Sequence, residues 1–177
     1  MRRIAITRKR LRGIPRRLRA LARWPANFEA RFPEGLSSNH KFVNYKLPVH
    51  QSLVDGRQAT IAQRRVAAQS LINACANLLV ARPQNSSEFR VVATICLPAM
   101  FSSEVCVYTD ESYFREMTKI GNSRHGVTSQ IEGRSLALEW GLVLPADVRE
   151  FGIAFDNMAA TDPEDQRAGE YWFYGEV

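Results

Sequence analysis

A capping box followed by a long run of helical period, Thr60 to Pro83, constrains this chain more than any other stretch. In Thr60-Ile61-Ala62-Gln63 the threonine oxygen can accept the amide hydrogen three residues on, and the glutamine can reach back. The period holds to Arg82, and Pro83, which has no amide hydrogen to donate, ends the helix. At about 100° per residue, Ile61, Ala68, Leu71, Ile72, Cys75, Leu78 and Leu79 share one stripe. Gln63, Gln69, Ser70, Asn73 and Asn77 share the other. That polar stripe is uncharged at its middle, so another segment can cover it.

The period then changes to two. Phe89 to Leu97 is β-branched and apolar, and Glu104 to Thr109 reads as its hairpin partner. A turn centred near Phe101 sets Cys96 opposite Cys106, Ile95 opposite Val107 and Leu97 opposite Val105. The last two pairs form the face expected to receive the helix. Val92, Thr94 and Tyr108 share the other face with the two cysteines, and it is apolar enough to need a cover from this chain or a partner.

Elsewhere, Arg8 to Trp24 has the spacing of a basic amphipathic helix, with Leu11, Ile14, Leu18 and Leu21 on one side and Arg12, Arg16, Arg17, Arg19 and Arg23 around them. Pro15 suits a first turn, so the firm helix starts at Ile14 or Pro15. Pro25 to Asn39 is loop, Lys41 to Leu47 alternates as a strand, and His50 to Val54 forms a short helix. Asp110 to Ile120 and Arg134 to Trp140 read as further short helices, the second stopped by Gly141. Phe151 to Phe155 is a strand, Asn157 to Gly169 a polar acidic loop, and Glu170 to Tyr174 the last strand. That strand pairs with the previous one and sends Tyr171 and Phe173 one way, Trp172 and Tyr174 the other. The fold class is α+β: a mainly antiparallel sheet of about five strands backed by one long central helix, with a basic N-terminal helix and short helices. Residues 1–24 form a basic arm and 25–177 a single domain.

Charge is divided unevenly. The 177 residues carry net +6 and are 45% hydrophobic, yet residues 1–24 hold ten Arg or Lys and no acid. The rest has 14 basic and 18 acidic residues, net −4, and the stretch from Glu132 has ten acids against three arginines, net −7. The basic pI therefore describes the arm more than the body, which weakens it as a sign of nucleic acid. No run approaches the roughly 18 to 20 apolar residues of a membrane span. No apolar stretch of secretory length follows the charged start, and the patterned basic helix argues against a transit peptide.

The residues point to no catalytic set. Cys75, Cys96 and Cys106 make neither a disulfide framework nor a Cys-x-x-Cys pair, and His40, His50 and His125 lack zinc spacing. No metal or cofactor is expected. Asp110, Glu111 and Glu116 serve a helix dipole more naturally than an acid–base site. An enzyme would have to assemble its site from scattered groups such as His40, Asp110 and Glu111. Two binding surfaces remain. Asp162, Glu164 and Asp165 with Glu170, Trp172 and Tyr174 suit a protein partner, although an aromatic strand is more often plain core. Arg12, Arg16, Arg17, Arg19 and Arg23 suit nucleic acid or an anionic surface, although a helix docked by its leucines leaves arginines in water for no further purpose.

Several segments together resemble an uncharacterised bacterial family, the domain of unknown function family 3916. They are Leu11-Arg12-Gly13-Ile14-Pro15-Arg16-Arg17-Leu18-Arg19, Leu47-Pro48-Val49, Arg90 to Pro98, Ser103-Glu104-Val105, Tyr113-Phe114, Arg134-Ser135-Leu136, Glu139-Trp140 and Gly169 to Glu176. The resemblance implies a cytoplasmic bacterial protein, some relatives acting as immunity proteins beside polymorphic toxins, and it supplies no catalytic residues. The expected function is a non-catalytic protein-binding module such as an immunity protein whose partner is a toxin domain. The alternatives are a nucleic-acid-binding protein and an enzyme whose site the sequence does not display.

Overall fold

The capping box forms as the sequence dictates. Thr60 Oγ1 accepts the Gln63 N–H at 3.3 Å, and Gln63 Oε1 accepts the Thr60 N–H at 2.7 Å. The computed structural model describes residues 11–27, 42–55, 59–83, 89–97, 99–108, 135–151 and 169–176. Helix α1 spans Ile14–Arg23 and runs into a short 3-10 turn, Pro25–Asn27. Strand β1 (Phe42–Lys46), helix α2 (Gln51–Val54) and the long helix α3 (Ile61–Val80) follow. Next come β2 (Arg90–Leu97), a 3-10 turn at Met100–Ser102, β3 (Glu104–Tyr108), α4 (Leu136–Trp140), β4 (Arg149–Phe151) and β5 (Gly169–Glu176).

The five strands form one antiparallel sheet in the order β1-β3-β2-β5-β4. This is the expected α+β architecture. The last strand pairs with its predecessor, which begins at Arg149, two residues before the expected start; residues 152–155 lie outside the described residues. The expected helix at 110–120 also lies outside them.

The hairpin register differs from expectation by four residues. Val91 stands opposite Val107, Val92 opposite Cys106 and Ala93 opposite Val105. The turn is asymmetric. Strand β2 outruns β3, so Ile95, Cys96 and Leu97 pair only with β5, and Ser103 Oγ takes the Cys96 N–H at 3.0 Å. Cys96 and Cys106 are therefore not cross-strand neighbours, and all three cysteines are free thiols. Because a strand's side chains alternate, an even displacement leaves every residue on its expected face.

One face of the sheet receives α3. Val91, Ala93, Ile95, Leu97, Val105, Val107, Tyr171 and Phe173 join Ala68, Leu71, Ile72, Cys75, Leu78 and Leu79 in the main core. Ile61 is the exception on the helix stripe: it is 55% exposed, in the first turn of α3. The side of α3 that carries its amides is largely covered too, with Ala67, Ser70 and Ala74 buried, so the helix forms a middle layer. Helix α1 packs on α3, and Leu21 joins the same core with Leu11, Ile14, Leu18 and Trp24 against it.

Candidate functional site

The polar stripe of α3 holds its neighbours by their backbones. Ser70 Oγ lies 3.1 Å from the Leu21 carbonyl oxygen and 2.7 Å from that of Val66, and Asn77 Nδ2 donates to the Pro25 carbonyl at 2.7 Å. The Leu21 and Pro25 carbonyls lie at and just past the C-terminal end of α1, while the Val66 carbonyl belongs to α3 itself. On the other flank Gln69 donates to the Val143 carbonyl and accepts the Val143 N–H, both at 2.8 Å. The amide side chain matches a peptide's donor and acceptor together, which a carboxylate at this position could not.

Anchoring α1 in this way sets the direction of its charges. Its leucines turn to the core while Arg12, Arg16, Arg17, Arg19 and Arg23 are all exposed. Arg16, Arg17, Arg19 and Arg23 thus stand on one docked helix and Arg12 in the turn just before it, with no acid among residues 11–27.

The other candidate surface lies across the sheet. On the face away from α3, Val92, Cys106, Tyr108 and Trp172 form a second buried cluster, with Tyr174 half-buried against it. Trp172 is 8% exposed. The strand registers carry a row of Asn44, Cys106, Val92, Tyr174 and Arg149 across this face, beside another that includes Lys46, Glu104, Thr94 and Trp172. Glu170 stands opposite Cys96 on β2. Asp162, Glu164 and Asp165 lie outside the described residues.

The described groups with reactive potential have structural work. Burial pushes the Cys75 thiol up to about 12, and its Sγ lies 3.5 Å from the Val91 carbonyl oxygen. Burial, reinforced by the negative Glu104 beside it, also pushes Cys106 up to about 12, its Sγ 3.5 Å from Glu104 Oε1. A thiol in that range is not a nucleophile at neutral pH. Glu104 also accepts from Asn44 Nδ2 at 3.1 Å and pairs with Lys46 at 3.5 Å.

Glu150 holds the start of α4. It accepts the Ser135 hydroxyl at 2.5 Å and the Leu136 and Ala137 amides at 2.6 and 3.4 Å, while Ser135 Oγ accepts the Leu138 N–H at 3.0 Å. The motif residues Ser135 and Leu136 thus serve a helix cap. Asp55 Oδ1 accepts the Phe101 N–H at 3.0 Å, tying the end of α2 to the hairpin turn. Burial raises the Asp55 carboxyl above its ordinary value, against the opposing Phe101 bond and the Arg64 charge. Sequence reasoning missed the Ser135–Glu150 and Gln69–Val143 pairs, because their partners sit on different elements and nothing in local spacing joins them.

Among the described residues no group of three His, Cys, Asp or Glu side chains is placed to hold a metal ion. Among them, too, no helix is long and apolar enough to cross a membrane. His40, Asp110 and Glu111, the groups from which an enzyme site would have to be assembled, lie outside the described residues.

No curated protein and no solved structure matches the chain. A family model described as "Protein of unknown function (DUF3916)" matches residues 22–176, starting after the Leu11-to-Arg19 stretch. Spanning nearly all of the body, that match makes this chain a member of the DUF3916 family, whose function is unknown.

Proposed function

We propose that this protein is a non-catalytic binding protein that grips a basic protein domain, in the manner of an immunity protein neutralising a toxin. One observation supports the reading: the arginine-bearing helix α1 and the aromatic pair Trp172 and Tyr174 lie on opposite faces of the sheet. Helix α1, with its arginines, packs on α3 on one side. Trp172 and Tyr174 belong to the cluster on the other side, in the part of the chain that carries net −7. A basic partner is drawn and oriented by acidic groups, and a contact made on the face away from α1 keeps its arginines from opposing the approach. Tyr174, packed against the cluster that holds Trp172, would make the contact together with Glu170 and the loop acids Asp162, Glu164 and Asp165. Co-expression with candidate toxin domains from the neighbouring genes tests the reading: growth is restored by this protein if it holds. Continued killing despite soluble expression of both proteins overturns it.

A second reading is favoured by the exposed arginines, four on the docked helix and Arg12 just before it. It makes α1 a contact for nucleic acid. Affinity for a short RNA, read by fluorescence anisotropy, would fall steeply with salt and vanish in a variant with Arg12, Arg16, Arg17, Arg19 and Arg23 changed to Gln. Unchanged affinity in that variant rules this second reading out.

A further inference from the structure

We propose that the groove between α1 and the Pro48–Leu53 segment is a binding site for a small amphiphilic carboxylate, an anion with an alkyl or aryl body. Helices α1 and α2 both rest on α3, and the space between them is a groove of about 430 Å³. That volume lies within the range of roughly 300–1,000 Å³ usual for small-molecule sites. Leu21 and Leu53, 3% and 1% exposed, form its apolar base, and Trp24 and Val49 line it. These surfaces favour a hydrocarbon body.

The polar groups of the groove select the charge of its occupant. Arg17 and His50 line it, and both are exposed. Arg17 Nε donates to the Arg12 carbonyl at 3.3 Å, which steadies the guanidinium and leaves its two terminal nitrogens to meet the two oxygens of a carboxylate. His50 Nδ1 accepts the Ser52 N–H at 3.2 Å, so the neutral ring carries its proton on Nε2 and offers a second donor. No described lining residue is acidic, and the neighbouring arginines of α1 add to the positive potential. A cation would meet repulsion here, and a neutral hydrocarbon would leave the donors unused.

Calorimetric titration of the full-length protein with decanoate, below its micelle threshold, tests this. Decanol and decyltrimethylammonium serve as neutral and cationic controls. Decanoate is expected to bind saturably at one site, decanol roughly tenfold more weakly, and the cation not at all. Arg17→Gln should cost roughly tenfold in decanoate affinity and leave decanol unchanged. Ala20→Phe, an exposed position on the groove wall, should abolish both while the melting curve stays cooperative. The proposal is overturned by no saturable decanoate binding, by equal binding of the cation, or by either variant binding decanoate as the parent does. None of these results bears on the toxin reading, whose aromatic residues Trp172 and Tyr174 lie on the other face of the sheet.

Discussion

Leu79, near the end of α3, and Gly175, on strand β5, meet so closely that no other residue fits at the strand position. A Cβ on Gly175 would overlap Leu79 Cδ1 and lie 2.5 Å from the Asp147 carbonyl oxygen. Gly175 shares a register row with Val91 and Val107, so the glycine makes room for the helix end on the core face. Gly175→Ala is expected to destabilise the fold by about 1–3 kcal/mol, read as a lower urea midpoint at unchanged slope. Leu79→Ala in the same background should restore part of the loss, because the two positions compete for one space.

The buried thiols make stability fall at high pH. Cys75 and Cys106 have an ordinary value of 9.0 and hold their protons to about 12 in the native state. Between those values the unfolded chain binds fewer protons than the folded one, so stability is full below pH 9 and is lost as pH rises toward 12. Urea midpoints measured from pH 8 to 11 should decline above 9, and Cys75→Ala should flatten part of the decline. In native protein a thiol reagent should modify the half-buried Cys96 first and reach the other two only on unfolding.

The Ser135–Glu150 bond joins α4 to the edge strand β4. Removing the Glu150 carboxylate leaves the first amides of α4 without their acceptor, so Glu150→Ala should cost about 1.5–3 kcal/mol. Ser135→Ala should cost about 1 kcal/mol. The double variant should lose less than the two single losses together, which a double-mutant cycle in urea would measure.

Helix α1 is held by its leucines and not by its arginines. Leu21→Ala should cost about 2–5 kcal/mol, and Asn77→Ala, which frees the Pro25 carbonyl, about 1 kcal/mol. Changing exposed Arg16 and Arg19 to Gln should move the melting midpoint little. A loss of stability in the arginine variant as large as that of Leu21→Ala would contradict the docking described here.

Much of the architecture is written locally in the chain. The Thr60–Gln63 cap, the Gly141 stop and the alternation along β2 and β5 depend on neighbours a few residues away, and each is found where the sequence puts it. The hairpin register is not local in that sense. It depends on where Ser103 ends the turn and on β5 pairing the last residues of β2, and a four-residue displacement keeps every face while changing every partner. The polar side chains of α3 read as a generic stripe, and only the fold shows that Ser70 and Asn77 hold the end of α1 while Gln69 holds Val143. The arginine helix was legible as a helix, and its outward charge follows from leucine spacing. Of the proposed contact residues, the alternation of Trp172 and Tyr174 is legible in the chain, but not that Trp172 is covered, and Asp162, Glu164 and Asp165 lie outside the described residues.

The central claim is the proposal that the acidic C-terminal part of the chain, together with the aromatic residues of β5, grips a basic protein. Isothermal titration of a toxin domain that the parent protein neutralises on co-expression, against two charge-reversed variants, tests it most directly. Changing Asp162, Glu164 and Asp165 to Lys should abolish one-to-one binding, while changing Arg12, Arg16 and Arg19 to Glu should leave the affinity within about threefold. Binding that survives the first variant and is lost in the second would contradict the account.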